Sequence, residues 1–455
     1  MIQAQKKTFI LHMDMNNLYG WGMAQYLPYG DFKWEPNIDL CVILNTPDDS
    51  EIGYIVDCDL FYPDSVRIRT EDFPLCPEKR NVKISEFSKF QKECPGHPKY
   101  TSPIQKIILD VNNKLHYVTH YRNLKFYLKM GLHVMTINRV ISFRQKPWLA
   151  GYITFNQNKR MDPKNKTFEK NFYKLMNNIF YGKTIEDVAK YRDFKVKYDI
   201  SKSVRNPRFK QQSKVGTNLS VVEFFKKEAV YNKPFYLGFS ILELSKLIMY
   251  KYYYETLPLL KKEYHLLYCD TDSFILSVHT DDVYEDLKII EDTLDLTDNV
   301  NYEEEYYNIP NVSNLKSAVK GKNKKVIGKM KLEEGGKVLE EFIGIRSKCY
   351  MLKVSDHEDR AKLKNEACQK KSLEFYELTK DATCEHEDSI MNYNKKETIE
   401  AQTAFLDLEV KRIKGVARNV VAKQYTSVTF RNCIENGVSP EPKMQTTLVI
   451  YKKPK

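Results

Sequence analysis

The stretch Tyr264–Val278, YHLLYCDTDSFILSV, decides how the rest of this 455-residue chain is read. Two apolar, β-prone runs flank Asp270-Thr271-Asp272, and that spacing predicts a tight turn between paired strands. A pair of Asp can serve as simple turn formers. A hairpin tip prefers Gly or Asn, however, and here a Thr separates two like charges. Crowding carboxylates in a half-buried turn is unfavourable unless a cation compensates. The tip therefore points to metal ligation.

Working outward, a second carboxylate stands at the end of an apolar run, Thr8–Asp14 (TFILHMD), which reads as a buried strand. Taken alone, Asp14 reads first as a cap for the short helix expected over Leu18–Gln25. Taken with Asp270 and Asp272, it suggests another chemistry. Phosphoryl transfer from a nucleoside triphosphate uses two divalent ions about 3.5–4 Å apart. Magnesium takes hard oxygen ligands and keeps several waters, so two or three carboxylates suffice. Neighbouring strand ends would hold them rigidly.

Between these carboxylates lies FEKNFYKLMNNIFYGK, residues 168–183, with a strong helical period. On a helical wheel Phe168, Phe172, Leu175, Met176 and Ile179 form one stripe, expected to be the buried side. Lys170, Lys174, Asn177, Asn178 and Tyr181 gather opposite, with Gly182 following. A merely solvated face more often carries Glu–Lys pairs. Two lysines one turn apart suit phosphates as point charges.

Composition narrows the class. Hydrophobic residues make up 42% of the chain, ordinary for a globular protein, and 31 Tyr and 23 Phe offer rings able to stack on bases. Most of these rings are expected simply to fill cores. The formal charge is +12. Lys159–Phe235 holds 19 basic residues against 8 acidic ones, whereas Asp281–Pro310 holds 11 acidic residues and one lysine. A polyanion would meet the first and avoid the second, which is expected to be a solvated helix or loop. The nine cysteines form no Cys-x-x-Cys pair, which fits reduced thiols in an intracellular protein. With neither a signal peptide nor a membrane-length apolar run, a soluble protein without a membrane partner is expected.

In order along the chain, these pieces resemble motifs A, B and C of the family B DNA polymerases. YCDTDS (268–273) matches motif C fully, KLMNNIFYG (174–182) resembles motif B, and DMNNLYG (14–20) is similar to motif A, with Asn17 and Gly20 in place of the family's Ser and Pro. Arg346-Ser347-Lys348-Cys349-Tyr350 looks like the Lys-x-Tyr element of the protein-primed branch, and Lys414-Gly415-Val416 resembles a further basic element. The branch includes viral, organellar and Maverick/Polinton-type enzymes.

The resemblance implies an α+β right hand of palm, fingers and thumb with an antiparallel palm sheet. It implies a DNA-directed DNA polymerase, a nucleotidyltransferase extending a primer 3′-OH or a priming protein during replication of a virus or mobile element. The rival is a decayed, transposon-derived relic that only binds DNA. Asp14 and Asp272 would bridge two Mg2+ ions (Mn2+ the alternative), with Asp270 assisting. Tyr19 would exclude a 2′-hydroxyl. Arg160, Lys170 and Lys174 would bind the triphosphate, and Asn178 and Tyr181 would border the nascent pair. Gly182 would admit the DNA, while Lys348, Tyr350 and Lys414 would contact it. Partners would be a DNA template-primer, deoxynucleoside triphosphates and a priming terminal protein, on a monomer.

The implied layout is palm over 1–40, a terminal-protein-region-like insertion over 41–150, and fingers over 151–190. A basic insertion over 191–235, palm over 236–350 and an incomplete thumb over 351–455 follow. Editing members carry their exonuclease before motif A, and 13 residues precede Asp14, so no proofreading is expected of the sequence as given.

Overall fold

The computed structural model describes residues 7–86, 105–295, 323–333, 339–346, 348–354, 409–413, 425 and 427–436. Its contacts divide the chain into two units, Met1–Asn16 with Met249–Lys455, and Asn17–Ile248. Both are mixed α/β with antiparallel sheets.

The first unit is built on an eight-stranded sheet, whose main path runs Glu263–Asp270, Ser273–Thr280, Lys7–Met15, Leu339–Arg346, Cys349–Val354, Glu409–Ile413. Alternation explains the placing of Lys7–Met15. Leu11, Met13 and Met15 point to one side and are buried, while Ile10, His12 and Asp14 take the other. Ser273–Thr280 is buried at nearly every position, as a strand covered on both faces must be. Its hairpin partner Glu263–Asp270 alternates exposed and half-buried residues, which suits the end of the sheet. Ile275, Leu339, Tyr350 and Leu352 form a core on the Asp14 side, joined by Tyr268 and Phe342. Each such side chain contributes about 1.5–3 kcal/mol by leaving water.

The acidic stretch is not wholly solvated. Asp286 and Asp295 are buried, Asp286 accepting from Thr280 Oγ1 at 2.5 Å and Asp295 from Asn16 Nδ2 at 2.7 Å.

In the second unit, a four-stranded sheet runs Leu27–Trp34, His133–Lys146, Ile52–Phe61, Lys114–His120. The helix Tyr121–Lys129 follows directly, capped by His120, whose ring nitrogen accepts from Arg122 N. Helices Ala150–Met161 and Thr167–Thr184 come next and lie against each other. Beyond them the basic segment forms a three-stranded sheet ordered Arg192–Lys197, Leu219–Phe225, Phe209–Gly216.

The apolar stripe of Thr167–Thr184 is not the buried side that was expected. Asn177, Tyr181 and Thr184 are buried, while Phe168, Phe172, Leu175 and Ile179 are 79%, 45%, 52% and 41% exposed. The amide of Asn156 donates to Asn177 Oδ1 at 2.8 Å, and Thr184 Oγ1 donates to Tyr181 O at 2.7 Å. Paired in this way, the polar groups lose little on burial. The covered strip takes Asn177 and Tyr181 from the polar side of the wheel and leaves Lys174 and Asn178 exposed, which the wheel alone could not say.

Candidate active site

Strand register assembles the acidic residues of the first unit. Asp14 lies opposite Ser273, and Ser273 lies opposite Asp270, so three residues form a row across three strands. Directly opposed side chains of neighbouring strands share a face, so Asp14 and Asp270 belong to the same side of the sheet. Asp272 closes the turn beside them, its carbonyl accepting from Met15 N at 2.7 Å.

The turn itself is unusual. Thr271 has φ +65° and Asp272 N donates to Asp270 O at 2.7 Å. Positive φ at the first tip position of a two-residue hairpin normally calls for glycine. A β-branched residue there is strained by about 1–3 kcal/mol, and such strain concentrates at functional sites. Beneath the tip the thiol of Cys269 is pushed up to about 12, first by burial and then by the charges of Asp270 and Asp272, so it stays protonated.

Asp270 has a specific partner. Lys348 Nζ lies 2.7 and 2.6 Å from its two carboxylate oxygens. Lys348 occupies the turn between Leu339–Arg346 and Cys349–Val354, with φ +59°, and its backbone N–H donates to Tyr268 Oη at 2.8 Å. The hydrogen bond with Asp270 raises the lysine's pKa, so its charge is secure at neutral pH. Tyr350 is buried with its ring centroid 5.0 Å from that of Tyr268. The sequence named Asp270 in one motif and Lys348 with Tyr350 in another; bringing the two motifs together required the strand order. Lys414 lies outside the described residues.

A magnesium site was tested against these donors. Among the described residues, no group of three or more His, Cys, Asp or Glu is gathered closely enough to hold a metal. The carboxylates at these strand ends are Asp14, Asp270 and Asp272, of which Asp270 is held by Lys348. Carboxylate oxygens are the donor type a hard cation that keeps most of its waters would take.

The second unit brings together another pair of expected site residues. The rings of Tyr19 and Tyr181 stack with centroids 4.0 Å apart and planes at 17°. Tyr181 is buried, and burial followed by the neighbouring Tyr19 raises its pKa. Tyr19 sits on the helix Leu18–Met23, which starts from Asn17 in the left-handed conformation (φ 49°). A Cβ on Gly20 would collide with the Asn17 side chain, so the two departures from the motif A pattern are coupled. Lys174 is exposed and Lys170 half-exposed, and neither has an ionic partner among the described residues. Burial lowers the pKa of Arg160. Asn178 and Gly182 are exposed, and a Cβ on Gly182 would meet nothing within 4 Å.

Sequence reading missed a buried polar network in this unit. Glu243 is 2% exposed, accepts from Thr119 Oγ1 at 2.8 Å and pairs with Lys246, while Asn123 Nδ2 donates to its carbonyl. Its local signal was the Glu243–Lys246 spacing alone.

No protein-family model matches the sequence, and no curated protein matches it. Solved structures similar to the chain include Phi29 DNA polymerase complexed with primer-template DNA, at TM-score 0.42 and 14% identity, covering 78% of this chain and 47% of that one. An orthorhombic crystal form of the same polymerase gives TM-score 0.42, 14% identity, 78% and 48%. Its ternary complex with primer-template DNA and incoming nucleotide gives 0.39, 15%, 78% and 47%. The chain thus spans about half the length of these polymerases. No helix among the described residues is long and apolar enough to cross a membrane.

Proposed function

We propose that this chain carries the polymerising centre of a DNA-directed DNA polymerase of the protein-primed family B type, organised as a right hand. The observation that carries the proposal is the register that sets Asp14 opposite Ser273, with Met15 N bonded to the Asp272 carbonyl. Two acidic side chains on adjacent strand ends are what nucleotidyl transfer requires of a protein. Asp14 and Asp272 would hold magnesium, which when bound lowers the pKa of the primer hydroxyl and neutralises the triphosphate.

The remaining roles belong to the chain's own groups. Lys170 and Lys174 would bind the triphosphate as point charges, aided by Arg160. Tyr19, held against Tyr181, would exclude a 2′-hydroxyl by occupying its place, and Asn178 would border the nascent pair. Lys348 would orient the primer end, with Asp270 fixing its ammonium and Tyr268 its backbone. Tyr350 would steady that turn through its contact with Tyr268.

Primer extension by purified protein with magnesium and four deoxynucleotides tests the reading. Extension by the parent, lost in Asp272→Asn while template binding persists, is the expected result. DNA binding without any extension by the parent would point to the relic instead.

A further inference from the structure

The three-stranded basic sheet holds a cavity that none of these roles uses. Asp193, Lys195 and Lys197 alternate along Arg192–Lys197 and therefore share one face. With Lys202 and Ser203 of the turn of helix Ser201–Val204, and Arg208 after it, they line a cavity of about 230 Å³. Four cations face one carboxylate there. That carboxylate is already engaged, with Arg208 at 3.6 Å and Lys226 at 4.0 Å. Lys195 and Lys202 have no ionic partner among the described residues, and Lys197 has the charge of Asp199 nearby but no ion pair with it. Like charges converging on a concave surface repel unless an anion joins them.

A second, independent feature lies in the same cavity. Ser203 is 2% exposed, and its buried hydroxyl has no hydrogen-bond partner among the described residues. Buried hydroxyls in folded proteins are mostly paired, so an unpaired one at a cationic cavity is a donor suited to an anion's oxygen. A hydroxyl donor among ammonium groups is a donor set for a phosphate group.

We infer that this cavity binds a phosphate group, with Ser203 Oγ–H donating to one oxygen and Lys195 and Lys202 flanking the others. A phosphodiester of a nucleic-acid strand and the phosphate of a small molecule present the same chemistry. The inference does not depend on the polymerase reading, because none of these residues belongs to the proposed centre.

Two probes test it on the full chain: inorganic phosphate followed by phosphorus NMR line broadening, and a short labelled DNA single strand followed by anisotropy at about 50–200 mM salt. Ser203→Ala and the double variant Lys195→Ala/Lys202→Ala should each weaken phosphate binding about tenfold. If the occupant is a phosphodiester, the double variant also lowers the salt slope for the DNA strand by about one to two. Weaker phosphate binding with unchanged DNA binding identifies a small phosphorylated ligand. A loss seen with the DNA alone identifies the strand. The inference is overturned if the parent binds neither probe, or if the variants bind both as the parent does. Absence of primer extension alongside variant-sensitive phosphate binding would remove only the polymerase proposal.

Discussion

Asp270→Asn and Lys348→Met, made singly and together, separate a carboxylate that positions a lysine from one that holds a metal. Both Asp270 oxygens lie 2.6–2.7 Å from Lys348 Nζ. Two unit charges at about 3 Å attract by about 1.4 kcal/mol even in bulk water. The lysine is 49% and the carboxylate 28% exposed, so solvent screening and side-chain entropy reduce the useful coupling towards 1 kcal/mol. That corresponds to a factor of about five. If Asp270 acts through Lys348, Asp270→Asn should raise the KM for template-primer about fivefold and Lys348→Met at least as much, with kcat nearly unchanged. The double variant should then be no worse than Lys348→Met alone, because the second change removes an interaction already lost. Steady-state extension at saturating deoxynucleotides, repeated across a magnesium titration, gives both constants. A metal-holding Asp270 predicts something else: kcat down on the order of a hundredfold and a raised magnesium requirement, independent of Lys348. Additive effects in the double variant would refute the positioning role.

Three further expectations follow from the second unit. Tyr19→Ala should admit ribonucleotides more readily, because it removes both the ring and its stack on Tyr181 at 4.0 Å; Tyr19→Phe should keep sugar discrimination, and competition between the two nucleotide types measures both. Asn177→Ala strands the buried amide of Asn156 and should cost about 1–3 kcal/mol, whereas Leu175→Ala, 52% exposed, should stay within about 0.5 kcal/mol; thermal denaturation with the opposite ranking would restore the apolar stripe as the buried face. Burial pushes the His120 imidazole down to about 3, below its unfolded value near 6.5. A base depressed on folding leaves its stability contribution intact above the unfolded pKa, and that contribution is lost as pH falls from about 6.5 towards 3. The loss is about 1.4 kcal/mol per pH unit at most. His120→Asn keeps a capping acceptor for Arg122 N, so it should flatten this acid dependence in urea titrations.

What could be read from the sequence was what sits within one local window. The apolar runs of Thr8–Asp14 and on either side of Asp270-Thr271-Asp272 gave the strands and the tight turn, because a short apolar run bounded by turn residues is a strand signal within one window. The row Asp270–Ser273–Asp14 was not local, since it depends on which of several possible partners the Asp14 strand takes. Nor was the commitment of Asp270 to Lys348, which needs the far hairpin to fold back over Tyr268. The helix Thr167–Thr184 shows why even a clear period can mislead. Its wheel gives one apolar and one polar face, yet burial is decided by whether the neighbour can answer the polar groups. Asn156 does so for Asn177, and Thr119 and Asn123 do the same for Glu243 in the helix Phe235–Lys251. A polar side chain brings its desolvation cost to any site, whereas its compensation exists only where a distant residue arrives with the complementary donor. Hydropathy records the first quantity and is silent on the second. Ser203 is the converse case, a buried donor that no described residue answers. The phosphate proposed for its cavity would supply the acceptor that hydropathy cannot foresee.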